Sequence, residues 1–217
     1  MIRLNSVIML AGRRRLFSAT CFASAILIAT IFALSARAET GKSAAARGVG
    51  RPAPAQVDYL PPVLLIDQSG KSVSLSSVKG KPVLVGFIHT SCKGVCEMMT
   101  AKMKQVAQSL GAQFNSSVTM VSITTDPDED NPAQLLKYAK AQGVDAEGYL
   151  FLTGKHRQID RLLNLYDVPD EGSDEATTHV LDLFLVAPNG SDMRKYNGIS
   201  VSAGTLASDI RHADSRR

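Results

Sequence analysis

Cysteine is scarce in this chain, which has three cysteines among 217 residues. One of them, Cys21, lies in an apolar N-terminal run, so the rest of the chain contains only Cys92 and Cys96. A domain held together by several disulfides is therefore excluded by count. Two thiols four residues apart leave three options, namely a redox pair, a metal site or a structural bridge.

The chain also lacks an excess of positive charge once its N-terminus is set aside. The net charge is +4, but residues 1–38 contain five basic side chains and no acidic one. The remaining residues carry 19 basic and 20 acidic side chains. This balance gives no electrostatic basis for nucleic-acid binding. Phosphate-binding glycine loops and hydrolase nucleophile motifs are also missing.

Residues 1–38 have the pattern of an export signal. Three arginines at 13–15 precede an apolar run at 16–34, and Ala36-Arg37-Ala38 matches a small-x-small cleavage site. We predict cleavage after Ala38, although the run of 19 residues is also long enough to be an uncleaved membrane anchor. Either way, the rest of the chain is predicted to be periplasmic, either soluble or tethered to the inner membrane through residues 16–34.

Beyond the leader, the composition predicts a linker and then one domain. Residues 39–58 are small and polar with proline and glycine, which is typical of a flexible linker. From residue 59 to 217, apolar strand patterns alternate with helical ones and end in a hairpin and a helix. This order predicts an α/β domain with a thioredoxin-like fold, in which helices flank a central mixed β-sheet. An additional N-terminal β-hairpin is expected at 63–66 and 72–75.

The cysteine pair falls where a buried strand meets a helix. This position predicts Cys92 in the loop and Cys96 in the first helical turn. Backbone N–H groups at a helix start favour the thiolate form, and the four-residue spacing places both sulfurs on one side. The pair can form a disulfide or bind one metal ion, and soft thiolates favour Cu(I) or zinc.

Several segments, in this order, resemble the SCO/SenC family of copper chaperones for cytochrome c oxidase. The matching segments are residues 83–87, Thr90-x-Cys92-x-x-x-Cys96, residues 122–127, residues 130–132, residues 150–154 and a histidine, His179, nine residues before Pro188. The resemblance covers about residues 58–212. Family members usually have proline after each cysteine, whereas this chain has Lys93 and Glu97. Lys93 favours thiolates and Glu97 opposes them.

The resemblance implies that Cys92, Cys96 and His179 are the metal ligands. It also implies a metallochaperone that holds copper, as Cu(I) or Cu(II), rather than an enzyme. The implied partner is the binuclear copper site of cytochrome c oxidase or another copper enzyme, with an upstream copper donor or thiol reductant. The same two thiols are expected to reduce the cysteines of that copper site. An extracytoplasmic thiol–disulfide oxidoreductase, with Cys92 and Cys96 as its redox-active pair, and a redox or copper sensor remain alternatives.

Other side chains near the motif have more ordinary interpretations. His89, three residues before Cys92, is a candidate fourth or substitute ligand, but a packing role at the end of its strand is favoured. Met99 and Met103 follow the cysteine face at helical spacing and are predicted to belong to the core. The acidic residues between 126 and 130 fit a strand end and a helix cap better than a calcium loop.

Overall fold

The structure, a computed structural model, describes residues 56–169 and 181–215. Its strands are β1 (Leu64–Asp67), β2 (Ser72–Ser74), β3 (Val83–Ile88), β4 (Thr119–Thr124), β5 (Tyr149–Thr153), β6 (Asp182–Val186) and β7 (Met193–Asn197). Its α-helices are α1 (Val95–Leu110), α2 (Phe114–Ser117), α3 (Pro132–Gln142), α4 (His156–Tyr166) and α5 (Ala203–Asp214). Short 3-10 helices cover Leu75–Val78 and Gly111–Gln113.

The seven strands form one mixed sheet in the order β2-β1-β5-β4-β3-β6-β7. The three central strands β5, β4 and β3 are parallel. On one side β1 pairs antiparallel with β5 and β2, and on the other β6 pairs antiparallel with β3 and β7. The predicted α/β architecture, a mixed sheet flanked by helices, is therefore confirmed.

Each face of the sheet has its own hydrophobic core. Leu84 and Ile88 of β3 face the core that contains the apolar sides of α1, α3 and α5. Val85 and Phe87 of the same strand face the opposite core, which is covered by α4 and the N-terminal segment. All six residues of β3 are buried, as expected for a central strand packed on both faces.

The helix boundaries follow the capping signals in the sequence. Asn131 precedes α3, and its side chain accepts a hydrogen bond from the N–H of Gln134 at 3.1 Å. Pro132 is the first helical residue, where its missing N–H has no cost. The sequence does not predict the short helices between α1 and β4, because residues 111–117 have no clear apolar period.

The final hairpin is described only from residue 181 onward. The sequence predicts a strand from residue 178 to 187, whereas β6 begins at Asp182. Residues 178–180 lie outside the described part of the chain, as do the predicted leader at 1–38 and most of the linker at 39–58. Within residues 56–169 and 181–215, no helix is both long enough and apolar enough to cross a membrane.

Candidate metal centre

The cysteine loop lies at the edge of the sheet where the parallel strands end. Because β3, β4 and β5 run in the same direction, their last residues, Ile88, Thr124 and Thr153, all lie along this edge. In open α/β sheets, ligands bind in crevices at the carboxyl ends of the strands. The topology therefore places the thiols where such folds commonly have a functional site.

The loop that joins β3 to α1 positions the two cysteines differently. Cys92 lies in the loop and Cys96 is the second residue of α1, as the sequence predicts. Gly94, just before the helix, has φ 110° and ψ −80°, a conformation that L side chains rarely adopt. Its carbonyl accepts a hydrogen bond from the N–H of Met98 at 2.8 Å. Glycine at this position lets the chain turn sharply between the two thiols.

Three potential metal ligands converge in this loop. The two cysteine sulfurs and one ring nitrogen of His89 all lie within 4.8 Å of one another. Cys96 is fully buried, while Cys92 and His89 are half-buried, and the two cysteines are not joined by a disulfide. Two thiolates and an imidazole form a ligand set that favours soft ions such as Cu(I) or zinc.

Of the two histidines that the sequence offers as ligands, the structure describes His89 but not His179. For His89 the sequence favours a packing role, but the structure brings its ring to the thiols. The sequence signal for this arrangement is the spacing of three residues between His89 and Cys92. In the structure these residues form a tight turn, in which the N–H of Cys92 donates to the carbonyl of His89 at 3.2 Å. His179 lies outside the described residues, so its role as a ligand stays a prediction.

A buried carboxylate, that of Asp130, connects the cysteine loop to the end of β4. Asp130 is 1% exposed. Its carboxylate accepts hydrogen bonds from the N–H of Thr90, at 3.1 and 3.2 Å to its two oxygens, and from the hydroxyls of Thr90 and Thr124, both at 2.5 Å. Thr124 in turn accepts from the N–H of Asp126 at 2.9 Å. These bonds hold the loop after β3 against the loop after β4.

A second set of hydrogen bonds connects the first turn of α1 to α3. The hydroxyl of Thr100 donates to the carbonyl of Cys96 at 3.0 Å, so it accepts from the hydroxyl of Tyr138, 2.9 Å away on α3. Burial raises the pKa of Tyr138, and the negative charges of Cys96, Glu97 and Cys92 add to that rise. Tyr138 therefore remains a neutral donor, and the backbone of Cys96 is held in place.

The two methionines that follow the cysteine face belong to the core. Met99 and Met103 are each 2% exposed. The methyl and sulfur of Met99 pack against Gly198, where an added Cβ would lie 2.2 Å from the methyl group. The sulfur of Met103 accepts a hydrogen bond from the hydroxyl of Ser122 at 3.9 Å. The predicted core role of both side chains is confirmed.

The acidic residues after β4 have separate structural roles. Asp130 is the buried acceptor described above, and the backbone carbonyl of Asp126 accepts from the N–H of Asp130 at 2.9 Å. Asp128 is exposed and lies 2.9 Å from Nε2 of His156 on α4. The carboxylates of Asp130 and Asp128 thus have different partners, which fits the interpretation as a strand end and loop rather than a calcium site.

Comparison with known proteins gives a consistent result. The SCO1/SenC family model matches residues 52–214. An SCO1 protein homolog of Bacillus subtilis is 34% identical over 158 residues, which cover 70% of this chain and 81% of that protein. The structure of BsSco, a member of the Sco family of cytochrome c oxidase assembly proteins with a disulfide switch, matches with a TM-score of 0.63 and 30% identity, covering 76% of this chain and 97% of that one. A copper-bound structure of ScoI from Bradyrhizobium japonicum matches with a TM-score of 0.58 and 26% identity, covering 70% and 97% of the two chains.

The Asp130 hydrogen bonds yield a test of how the loop is held. In Asp130→Asn, one acceptor oxygen becomes an NH2 group, so the remaining oxygen cannot satisfy all three donors. We expect the free energy of unfolding to fall by about 1–3 kcal/mol and the two thiols to react faster with a disulfide reagent. Urea denaturation and thiol titration measure the two effects.

The matched control for this variant is Asp128→Asn in the same loop. Asp128 is exposed and its ion pair with His156 is solvated, so this change should cost less than about 1 kcal/mol and leave thiol reactivity unchanged. Equal behaviour of the two variants would show that Asp130 does not hold the cysteine loop.

Proposed function

This chain belongs to the SCO1/SenC family, and on that basis we propose that it is a copper metallochaperone for cytochrome c oxidase assembly. The observation that carries this proposal is the convergence of two thiols and an imidazole within 4.8 Å at the end of the parallel strands. A structural relative holds copper, and another belongs to a family of cytochrome c oxidase assembly proteins. The cargo we propose is therefore copper rather than zinc.

We propose Cys92, Cys96 and His179 as ligands of this copper ion. The thiolates supply soft donors, which suit Cu(I), and imidazole is a good ligand for either copper oxidation state. The course of the chain supports His179. Gly86 of β3 pairs with Leu183 of the antiparallel β6, so the chain enters β6 at the edge that carries the cysteine loop. Leu181, the first described residue there, follows His179 by two positions.

Copper transfer would proceed by ligand exchange in which, of the two thiolates, the more accessible one leaves the ion first. Cys92 is half-buried and Cys96 is fully buried, so a partner's ligand reaches the metal first on the Cys92 side. Met98, in the first turns of α1, is 52% exposed, and its thioether side chain offers an adaptable apolar contact beside the loop. Cys96 and its hydrogen-bonded turn would release the ion last.

We further propose that the destination is the binuclear copper site of the oxidase and that the same thiols prepare it. In that step the thiols of Cys92 and Cys96 give two electrons and two protons to a disulfide of the target. The target becomes a dithiol, and Cys92 and Cys96 become a disulfide. Since a disulfide has no thiolate left to bind Cu(I), the oxidised chain must be reduced by an upstream thiol reductant before it binds copper again.

The copper-binding stoichiometry of the reduced chain tests the proposal. We expect one Cu(I) per chain, loss of binding in the Cys92→Ser and Cys96→Ser variants, and at least about a tenfold weaker affinity in His179→Ala, because each change removes a ligand. Competition with a chromophoric Cu(I) chelator measures the affinity. Absence of copper binding in the reduced wild-type chain would contradict the proposal. Efficient reduction of a disulfide substrate by that copper-free protein would then favour a thiol–disulfide oxidoreductase.

We also propose that residues 1–38 direct the domain out of the cytoplasm. The support is the arginine cluster, the apolar run and the small-x-small sequence at the N-terminus. Expression of the full chain in a bacterium, followed by cell fractionation, should place it in the periplasm or on the outer side of the inner membrane. Recovery of the full-length chain in the cytoplasmic fraction would contradict this proposal.

A further inference from the structure

We infer that His89 is itself a copper ligand and that His89, Cys92 and Cys96 form a complete three-coordinate Cu(I) site. His179 is then an additional, exchangeable ligand. This inference rests on the copper-binding function proposed above and extends it, because it assigns the imidazole of a second histidine to the metal. The three ligands lie within eight consecutive residues, in the loop after β3 and the first turn of α1.

The geometry of the cluster fits a three-coordinate ion with little adjustment. Sulfur atoms bound to one metal ion at about 2.3 Å lie roughly 4 Å apart when the ligands are trigonal. The sulfurs and the ring nitrogen of His89 already lie within 4.8 Å of one another. His89 and Cys92 are half-buried and Cys96 is buried, so closing the remaining gap would fall to the side chains of His89 and Cys92.

The backbone on both sides of His89 is fixed, so the imidazole is held near the thiols. The carbonyl of Ile88, the last residue of β3, accepts from the N–H of Thr125 at 2.8 Å. The carbonyl of His89 accepts from the N–H of Cys92 at 3.2 Å. Thr90, the next residue, is bound through its N–H and its hydroxyl to the buried Asp130. The same contacts that hold the cysteine loop therefore also hold His89.

The other histidines in the described residues are placed differently. His156 lies on α4 and pairs with Asp128 at 2.9 Å, with 62% of its side chain exposed. His212 lies in the last turn of α5 and is exposed. Of these three, His89 is the one grouped with thiols. Its position cannot be explained as a solvated surface histidine.

A local three-ligand site has a consequence for copper transfer. If His179 leaves the metal as a partner approaches, His89, Cys92 and Cys96 still hold Cu(I) in a three-coordinate arrangement. The partner's ligand can then enter at the position that His179 vacates, before any thiolate is displaced. Cu(I) remains bound throughout, and its oxidation state does not change.

The test compares His89→Gln, His179→Ala and the double variant, with His212→Gln as the matched control. We expect His179→Ala to bind one Cu(I) per chain and to retain the outer-shell scattering of one imidazole in Cu K-edge X-ray absorption. His89→Gln should bind Cu(I) at least about tenfold more weakly than wild type, and the double variant should show no imidazole scattering. His212→Gln should match wild type in both measurements.

Two results would overturn the inference. One is the absence of imidazole scattering in Cu(I)-loaded His179→Ala, a result that does not depend on the folding of any His89 variant. The other is wild-type Cu(I) affinity in a folded His89→Gln chain. Either result leaves the proposed copper function standing, provided that wild type binds Cu(I). Absence of copper from the wild-type chain would instead refute the proposed function and this inference together.

Discussion

The buried carboxylate of Asp130 holds the loop after β3 against the loop after β4, and the geometry of the thiol cluster depends on that attachment. Asp130 has two threonine hydroxyls and one backbone N–H as donors, which belong to the loop after β3 and to the last residue of β4. A buried carboxylate that loses such partners costs several kcal/mol in desolvation. The two strand ends therefore stay together, and His89, Cys92 and Cys96 stay at the same edge.

The sheet and helix α1 supply the rest of the arrangement. Parallel pairing of β3 with β4 brings Ile88 next to Thr124, so the loops that follow them meet. The helix start at Val95 and the positive φ of Gly94 place Cys96 in the buried first turn and leave Cys92 in the more exposed loop. A chain of hydrogen bonds from Tyr138 through Thr100 to Cys96 fixes that turn. The result is one thiol held rigidly and one that a partner can reach.

Much of this could be predicted from local sequence patterns. The apolar run of β3, the helix after the cysteines and the cap at Asn131 are signals read within a few residues, and each is confirmed. The convergence of Thr90, Thr124 and Asp130 could not be predicted, because it depends on the pairing of strands more than 30 residues apart. The position of His89 beside the thiols could not be predicted for a related reason. A histidine at the end of a strand packs or ligates according to the turn that follows it, and that turn is visible only in the structure.

Transfer of copper to the oxidase is the most direct test of the proposed function. The copper-loaded reduced chain would be mixed anaerobically with the reduced, copper-free domain that carries the binuclear site of cytochrome c oxidase, and the two proteins would be separated for metal analysis. If this chain is a copper metallochaperone for the oxidase, metal analysis will find the copper in the oxidase domain after the two proteins are separated. Copper that stays on this chain, or leaves it at the same rate when the oxidase domain is absent, would contradict the proposed metallochaperone function.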